Sequence, residues 1–503
     1  MKKMKRLVAL ALSVVMVLAM SVFAFAAEGQ TTHQITVKDT DNHTYAIYQI
    51  FTGDFADGTL SNVKWGVNGT GTTGNSVDDT TLKALTDVNS KSEREILDVV
   101  EQYANLNNPV GTVNKDHPYA DAVSGYYLIK DADAVSNNDT YTTYIVKVVG
   151  EDVEIARKAN VPSFEKKIKD TNDTTGETSG WQDSADYDIG DQVPFQLKGT
   201  VASNYDAYKT YYFAFHDKEE KGLTFNKDSV KVYVDGNKIT SGYEVKTTGI
   251  TDGCTFEVVF NNLKDVSTVK AGSTVTVEYT SELNNDAVLG SQGNVNEAKL
   301  VFSNNPKNEQ VGKPETPGET PWDNVIVFTY KVVVNKVNEN GAALTGAEFT
   351  LIKKLPDNKE KEITAVKSTE GTSFTFRGLD DGDYILRETT TPSGYNTISD
   401  ITFTVTAEHK IEWTTEKRTE ILTDLKGDKA SGEITFSKVS ETIKVDNKDE
   451  DSANAGLSTT VVNKKGSSLP STGGIGTTIF YVVGAILMVG AAVLLITKRR
   501  AEN

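Results

Sequence analysis

The sequence has few cysteines and histidines, the residues that often act as nucleophiles, general bases or metal ligands. Its 503 residues include one cysteine, Cys254, and five histidines. One cysteine cannot form an intramolecular disulfide, although exported domains of modest size commonly need such a staple. The sequence also lacks the Gly-x-Ser-x-Gly and His-Glu-x-x-His motifs of hydrolases and metalloproteases. We therefore predict a protein that is not an enzyme and that holds no metal and no cofactor.

Positive charge is scarce as well. The chain has 52 Lys and Arg against 70 Asp and Glu, which gives a formal net charge of −18. A nucleic-acid-binding surface needs a basic patch, so this balance excludes nucleic acid as a partner. Without the segments 1–26 and 473–503 the remaining chain is more acidic still, at −24. An acidic surface of this kind mainly keeps an exported protein soluble.

The N-terminal segment 1–26 has the three parts of a secretory signal peptide. Its basic head consists of Lys2, Lys3, Lys5 and Arg6, and an apolar run follows. Ala24-Phe25-Ala26 then supplies the small residues of a cleavage site. A permanent membrane anchor is the alternative, but the polar chain after Glu28 favours cleavage. We expect the protein to be secreted and this segment to be removed.

The C-terminal segment has a pentapeptide over 469–473, followed by a membrane-spanning stretch and a basic tail over 474–503. The apolar part, Ile475 to Ile496, is long enough to cross a bilayer as a helix, and the basic tail favours a cytoplasmic end. This order resembles the cell-wall sorting signal of Gram-positive surface proteins. The resemblance implies that a sortase recognises Leu469, Pro470, Thr472 and Gly473, cleaves after Thr472 and passes its carbonyl to an amine. The apolar stretch would then anchor the protein in the membrane only transiently.

Most of the intervening chain has the short alternating strands and Gly, Asn and Asp turns that are typical of β-sandwiches. One helix is expected where Ser92 and Glu95 form a capping box. We predict an N-terminal domain over 27–156 that contains this helix, a second domain over 157–305 and a third over 322–465. The Pro-containing stretch 306–321 indicates a stiff extended linker.

The third domain contains a motif, Tyr-x-Leu-x-Glu-Thr followed by Pro-x-Gly-Tyr, over residues 384–395. This motif resembles the E-box of Gram-positive pilins and of collagen-adhesin B-type repeats. The segments Val332–Lys336 and Thr460–Asn463 match the opening and closing strands of such repeats. The resemblance implies an immunoglobulin-like sandwich in which Lys336 and Asn463 form an isopeptide bond, with Glu388 as the catalytic acid.

Strand alternation supports this assignment, because every second side chain lies on the same face. Lys336 shares a face with Val334, and Asn463 shares one with Val461. Glu388 likewise alternates with apolar neighbours. Burial favours a neutral amine and a neutral carboxylic acid, which are a nucleophile and an acid catalyst. The alternative is an ion pair beside a turn-capping asparagine, and it does not explain why all three residues face inward.

The second domain resembles the collagen-adhesin A-type fold in three segments: Val161–Ile168, Phe215–Asp217 and Asn294–Asn304. The resemblance implies a second Lys–Asn bond with Asp217 as the catalytic acid. Alternation favours Lys166 over its neighbour Lys167 as the inward-facing amine. It also favours Asn296 as the inward-facing amide, although Asn304, at the end of the same strand, has the same parity. The alternative makes Lys166 an edge charge and Asn296 a bulge residue.

The first domain differs from the other two in its motif. Residues 124–131 resemble an E-box without its glutamate, so we expect no crosslink there. In related pilins the lysine that attacks the sortase acyl-enzyme lies between the first and second domains, after an aromatic residue and Pro. Lys158 lies at that junction, although Ala156-Arg157 departs from the aromatic–Pro pattern. An ordinary solvated linker charge is the alternative.

The resemblance as a whole implies the backbone subunit of a sortase-assembled pilus, anchored to a Gram-positive cell wall and supporting adhesion. The fold class is then mainly β, with tandem immunoglobulin-like sandwiches. The implied partners are a pilin-polymerising sortase, a housekeeping sortase, identical subunits, tip and basal pilins and peptidoglycan. A monomeric wall-anchored adhesin is the alternative, because it needs the same sorting signal but no polymerising lysine.

Overall fold

A computed structural model describes residues 31–38, 40–133, 139–141, 145–157, 160–409, 412–413, 418–419, 422–429, 434–445, 448–466 and 475–501. The predicted signal peptide and Lys158 lie outside the described residues. The same is true of the predicted sortase motif, Leu469, Pro470, Thr472 and Gly473. The fold is mainly β, with several immunoglobulin-like sheets, as the sequence predicts.

The first domain combines two sheets with two helices, α1 (Asp79–Asp87) and α2 (Glu93–Val100). Helix α2 begins at Ser92 with the capping box that the sequence predicts. Helix α1, which we did not predict, is capped by Asp78, whose side chain accepts a hydrogen bond from the Thr81 amide. The strands are β1 (Thr32–Val37), β2 (Tyr45–Ala56), β3 (Thr59–Trp65), β4 (Gly111–Val113), β5 (Tyr119–Val123), β6 (Gly125–Asp131), β7 (Ile145–Val149) and β8 (Val153–Ile155). One sheet has the order β5-β1-β8, and the other has the order β3-β2-β6-β7 with β4 paired to β2.

The second domain is a sandwich of two sheets around an aromatic core. Its strands are β9 (Ser163–Ile168), β10 (Ser184–Asp186), β11 (Gln192–Thr200), β12 (Phe213–Glu219), β13 (Leu223–Val234), β14 (Asn237–Ile239), β15 (Glu244–Lys246), β16 (Phe256–Phe260), β17 (Thr274–Leu283), β18 (Asn294–Phe302), β19 (Gly318–Glu319) and β20 (Asp323–Phe328). One sheet has the order β14-β13-β17-β11-β9. The facing sheet has the order β10-β20-β18-β12-β16-β15, with β19 paired to β18. The strands alternate inward apolar and outward polar residues, so each sheet presents one apolar face to the other.

Strand β20 connects the second and third domains. It pairs with β18 and β10, so it belongs to a sheet of the second domain, although the sequence assigns residues from 322 onward to the third. Val325 and Val327 join the core of the second domain, whereas Ile326 and Phe328 join the core of the third. The predicted linker 306–321 likewise contributes β19 to this sheet. The two domains therefore share one strand.

The third domain is a second sandwich. Its strands are β21 (Tyr330–Asn338), β22 (Glu348–Lys354), β23 (Glu360–Thr364), β24 (Val366–Lys367), β25 (Ser373–Leu379), β26 (Gly382–Thr390), β27 (Ile401–His409), β28 (Glu412–Trp413), β29 (Arg418–Thr419), β30 (Leu422–Lys429), β31 (Phe436–Val445) and β32 (Lys448–Asn463). One sheet has the order β24-β25-β21-β32-β31, and the other has the order β23-β22-β26-β27-β30. The first long strand, β21, and the last, β32, run parallel and pair directly. A C-terminal helix, α3 (Ile475–Ala501), contains a segment long and apolar enough to cross a membrane.

The junction between the second and third domains holds a buried ionic cluster. The ammonium of Lys353, on β22, bonds Asp173 at 2.9 Å and Asp380 at 3.0 Å, and lies 3.2 Å from Asp188. Asp173 and Asp188 belong to the second domain and Asp380 to the third. Burial acts to lower the pKa of Lys353, but these carboxylates outweigh it and raise that pKa above its ordinary value. The lysine therefore stays charged and links the two domains.

Candidate functional site

The third-domain cluster consists of Lys336 on β21, Glu388 on β26 and Asn463 on β32. Lys336 and Asn463 have no exposed surface, and Glu388 is 7% exposed. The inward direction of all three side chains agrees with the alternation along their strands. Because β21 and β32 are paired neighbours, Lys336 lies opposite Val461, two residues from Asn463. Glu388 reaches the pair from the facing sheet.

Hydrogen bonds in this cluster join Asn463 to Glu388, whereas the Lys336 amine bonds two backbone carbonyls of neighbouring residues. The amine of Lys336 donates to the carbonyl oxygens of Val461 at 3.0 Å and Val337 at 3.1 Å. The Nδ2 atom of Asn463 donates to Glu388 Oε1 at 2.9 Å and Oε2 at 3.1 Å. Burial lowers the pKa of Lys336 to about 8, although the nearby Glu388 acts against that shift. About a tenth of the amine is therefore neutral, and nucleophilic, at pH 7.

The orientation of the Asn463 amide differs from the mechanism expected from the sequence. An acid catalyst of this reaction would donate to the carbonyl oxygen, whereas Glu388 accepts a hydrogen bond from the amide nitrogen. The Oδ1 atom of Asn463 is buried and has no hydrogen-bond partner among the described residues. Half a turn of the amide about its Cβ–Cγ bond exchanges the two atoms. It would place the carbonyl oxygen against a protonated Glu388.

The second-domain cluster consists of Lys166 on β9, Asp217 on β12 and Asn296 on β18. None of the three has any exposed surface. Lys166 lies in one sheet, and Asp217 and Asn296 lie on adjacent strands of the other. The Lys166 ammonium forms an ion pair with Asp217. The structure therefore brings the predicted amine and acid into direct contact.

Tyr279, on β17, completes this cluster and was missed by the sequence reasoning. Its hydroxyl accepts from Lys166 Nζ and from Asn296 Nδ2, both at 2.9 Å. The same hydroxyl donates to Asp217 Oδ2 at 2.7 Å. Alternation along β17 shows only that Tyr279 faces inward with Val275 and Val277. Nothing in the local pattern separates it from a core tyrosine.

Electrostatics in this cluster favour the neutral forms of the amine and the acid. Burial lowers the pKa of Lys166, although Asp217 acts to raise it. Burial likewise raises the pKa of Asp217, although Lys166 acts to lower it. Burial also raises the pKa of neighbouring Glu219 to about 8, so this carboxyl adds little negative charge near neutral pH. With the proton on Asp217, Lys166 has the free electron pair that an amine nucleophile needs.

The alternative asparagine, Asn304, has a different environment. Its backbone carbonyl accepts from the Tyr141 amide at 2.8 Å and from the Thr140 hydroxyl at 2.7 Å, both in the first domain. The side chain of Asn296, by contrast, bonds Tyr279. The geometry therefore places Asn296 in one cluster with Lys166, since both bond the Tyr279 hydroxyl. It places Asn304 in the contact between the first and second domains.

The first domain offers no comparable cluster in its described part, where none of the lysines is buried. The residues that precede Lys158 line a cavity of about 370 Å³, together with Lys38, His43 and Asp139. Arg157 bonds both the Asp139 carboxylate and the Thr140 carbonyl. The chain that leads to Lys158 is thus fixed to the first domain.

One group of possible metal ligands includes the single cysteine. Cys254 lies near His216 and Asp252. The ring of His216 bonds Asp252 at 2.6 Å. Burial, reinforced by Asp252, raises the pKa of the Cys254 thiol well above its ordinary value, so the thiol stays protonated. His216 Nδ1 and the Cys254 thiol both bond Asp252, whereas the buried His216 Nε2 atom has no partner among the described residues. A protonated thiol is a poor metal ligand.

Two family models match the C-terminal half of the chain. A prealbumin-like fold domain, SpaA, matches residues 330–419, and the LPXTG cell wall anchor motif matches residues 461–503. The chain resembles the sortase-assembled backbone pilins. The anchor motif with its apolar helix fits a surface pilin attached to the cell wall, as the sequence predicts.

Known proteins resemble the chain over most of its length. The trypsin-resistant surface T6 protein of Streptococcus pyogenes serotype M6 is 25% identical over 402 residues, which cover 68% of this chain and 70% of that protein. The solved structure of the T6 backbone pilin, described as modular with three domains, covers 88% of this chain and 100% of its own at 18% identity, with a TM-score of 0.51. The full-length major pilin SpaD of Corynebacterium diphtheriae covers 88% and 99% at 17% identity, with a TM-score of 0.45. The T6 likeness supports the fold.

Proposed function

We propose that this protein is the shaft subunit of a covalently polymerised pilus, stiffened by two intramolecular Lys–Asn isopeptide bonds. The observation that carries the proposal is the placement of the two buried clusters. In both sandwich domains an amine from the first long strand and an amide from a closing strand lie with a carboxylic acid inside the core. A bond at that place would carry tension directly from one end of the domain to the other.

The crosslinking reaction needs no external reagent. The neutral amine attacks the amide carbon, a new C–N bond forms, and the former amide nitrogen leaves as ammonia. The acid supplies a proton to the amide and regains one from the amine, so it acts once and is unchanged. Burial supports this chemistry because a low-dielectric core disfavours the charged forms of both groups. Each protein molecule therefore undergoes the reaction once, on its own side chains, and has no catalytic turnover.

The polymer would form through the two predicted sortase positions. A pilin-polymerising sortase would cleave after Thr472, and the Lys158 amine of the next subunit would resolve the acyl-enzyme. A housekeeping sortase would finally transfer the chain to peptidoglycan. Tip and basal pilins would end the fibre, which would support adhesion. The T6 relative supports the shaft over a monomeric adhesin, because it is described as a backbone pilin.

The test is co-expression with a pilin-polymerising sortase, followed by a denaturing gel and sequencing of branched peptides from the ladder. We expect a high-molecular-weight ladder in which Thr472 is joined to the side chain of Lys158. Lys158→Arg should abolish the ladder, and Lys38→Arg, which changes a lysine of the neighbouring cavity, should keep it. Thr472 attached to another lysine would overturn the Lys158 assignment. Attachment to peptidoglycan alone, with no ladder, would support the monomeric adhesin.

A further inference from the structure

The hydroxyl of Tyr279 hydrogen-bonds all three groups of the second-domain cluster. It touches the two nitrogen atoms between which a proton must move during crosslinking, Lys166 Nζ and Asn296 Nδ2, each at 2.9 Å. It also donates to the acid, Asp217, at 2.7 Å. Among the described residues, no other side chain hydrogen-bonds all three groups.

The tyrosine ring is held firmly at this position. It stacks on Phe195 with ring centres 5.3 Å apart, and it meets Phe256 edge to face at 4.9 Å. Tyr279 is only 2% exposed. A buried hydroxyl on a ring fixed by aromatic neighbours cannot move away from the cluster without disturbing the core. Before crosslinking, the hydroxyl is therefore fixed beside the amine, the acid and the amide.

The two domains differ in how the acid reaches the amide. In the third domain Glu388 contacts Asn463 directly, at 2.9 and 3.1 Å. In the second domain the Asn296 side chain bonds Tyr279, and its Oδ1 atom has no partner among the described residues. Asp217 is bonded to Lys166 and Tyr279. The hydroxyl thus lies between the acid and the amide in the second domain, whereas the acid and the amide touch directly in the third.

We infer that Tyr279 is a catalytic residue of the second-domain crosslink, whose hydroxyl passes a proton from Asp217 to the amide nitrogen of Asn296. The inference rests on the proposed Lys166–Asn296 bond. It adds to that bond a specific group through which the leaving nitrogen is protonated. Apart from this hydroxyl, no described side chain gives the buried acid a hydrogen-bonded path to the amide nitrogen.

The proton transfers balance over one reaction. The neutral Lys166 amine attacks the Asn296 carbon, and the Nζ–Cγ bond forms. Tyr279 gives its proton to Nδ2 and takes the proton of Asp217, while the Cγ–Nδ2 bond breaks. Asp217 then receives the proton that Nζ loses on becoming an amide nitrogen. One proton has moved from Nζ to Nδ2, one ammonia has left, and Tyr279 and Asp217 have recovered their starting forms.

Glu219 is the other acid near this site. The Ser281 hydroxyl donates to its carboxylate, and its Oε2 atom has no partner among the described residues. Its parity on β12 matches that of Asp217, but no hydrogen bond links it to Asn296 or Tyr279 in the part of the chain that the structure describes. We therefore assign the proton path to Tyr279 and not to Glu219.

The experiment is intact-mass spectrometry of the mature ectodomain and its Tyr279→Phe variant, sampled from the earliest time after synthesis. The substitution keeps the ring and removes only the hydroxyl. The third-domain bond in the same molecule serves as an internal control for folding. Tyr205→Phe is the matched control, because it removes another buried hydroxyl of the same core that has no hydrogen-bond partner among the described residues.

We expect the parent and Tyr205→Phe to lack two ammonia masses and Tyr279→Phe to lack one. Peptide mapping should then show Lys166 and Asn296 unlinked, or linked at least about 10²-fold more slowly, as is usual when a general acid is removed. Two missing ammonia masses in Tyr279→Phe at the earliest time would overturn the role of Tyr279 and leave the proposed bond intact. A parent with an unlinked second domain would overturn both the bond and the inference. Asn296→Ala cannot form the second-domain bond, so adding Tyr279→Phe to it changes only the packing of the core. Equal melting temperatures of the single and the double variant would show that the lost hydroxyl, and not a packing defect, prevents the crosslink in Tyr279→Phe.

Discussion

Asn463 and Glu388 face each other between the two sheets of the third domain, and the amide nitrogen of Asn463 donates to both oxygens of the carboxylate. The two residues are far apart in sequence, and only the folded sandwich brings them together. Glu388 also accepts from the Thr391 hydroxyl and the Ile398 amide, both at 3.2 Å. The acid is thus held beside the Asn463 amide by the segment that follows β26.

The first prediction concerns Glu388. Glu388→Ala should leave Lys336 and Asn463 unlinked, because no other carboxyl is in hydrogen-bond contact with this amide among the described residues. The mature ectodomain should then be heavier by one ammonia, about 17 Da, after correction for the substitution itself. Glu360→Ala, at an exposed position of the same sheet, is the control and should keep the parent's deficit. An unchanged deficit in Glu388→Ala would contradict the assigned role.

The second prediction separates the two candidate asparagines of the second domain. Asn296→Ala should remove one ammonia deficit, because Asn296 lies in the cluster with Lys166. Asn304→Ala should keep both deficits, because its described contacts are with the first domain. Intact-mass spectrometry of the two variants decides between them. The opposite result would move the crosslink to Asn304.

The third prediction concerns stability. A bond between Lys336 and Asn463 closes a loop of roughly 130 residues, which by analogy with a disulfide contributes about 5 kcal/mol to the free energy of unfolding. Lys336→Ala should therefore lower the melting temperature of the third domain by about 15 °C and make it sensitive to protease. Asn335→Ala, on the opposite face of the same strand, should have a small effect. A reductant should leave the parent unchanged, and equal protease resistance in Lys336→Ala and parent would argue against the bond.

The fourth prediction concerns pH at the junction of the second and third domains. Burial, with the negative charges of Asp186 and Asp381, raises the pKa of Asp170 to about 8. Burial also raises the pKa of Asp186 and of Asp381, each to about 6. The folded protein therefore holds protons that the unfolded chain releases above pH 4, so stability should fall as the pH rises from about 5 to about 8.5.

Calorimetry across this pH range tests the prediction. Asp170→Asn, which cannot lose a proton, should flatten the pH dependence, whereas the exposed Asp228→Asn should retain it. Lys353 and Tyr330 face the same carboxylates and limit how far the dependence extends. A melting temperature that does not fall with pH through this range would show that the folded protein does not hold these protons.

Alternation correctly predicted that the candidate residues Lys166 and Asn296 face inward. Lys166 alternates with Phe164 and Ile168, and Asn296 alternates with Ala298 and Leu300, so the pattern favours this inward set. Tyr279 follows the same pattern, but its role depends on three partners brought from three other strands. Periodicity reports the direction of a side chain and not its neighbours, so Tyr279 could not be identified as more than a core residue.

The strand shared by two domains shows a second limit of the sequence. Val325-Ile326-Val327-Phe328 is an uninterrupted apolar run, which is typical of a strand buried on both faces. The run therefore contained a signal that the sequence analysis passed over when it placed a domain boundary at 322. The apolar run does not reveal which domain covers each face of the strand. The carboxylates around Lys353 are similarly separated by long stretches of chain and meet only after both sandwiches have formed.

Strand β20 also determines where a fibre of such subunits can flex. A hinge between the second and third domains would pull either Val325 and Val327 or Ile326 and Phe328 out of a core, and it would break the contacts of Lys353 as well. The two sandwiches therefore move as one rod. Bending by thermal motion or by fluid flow would then be concentrated at the joints between consecutive subunits. Such a fibre would change its direction without changing its contour length, like a chain of rigid links.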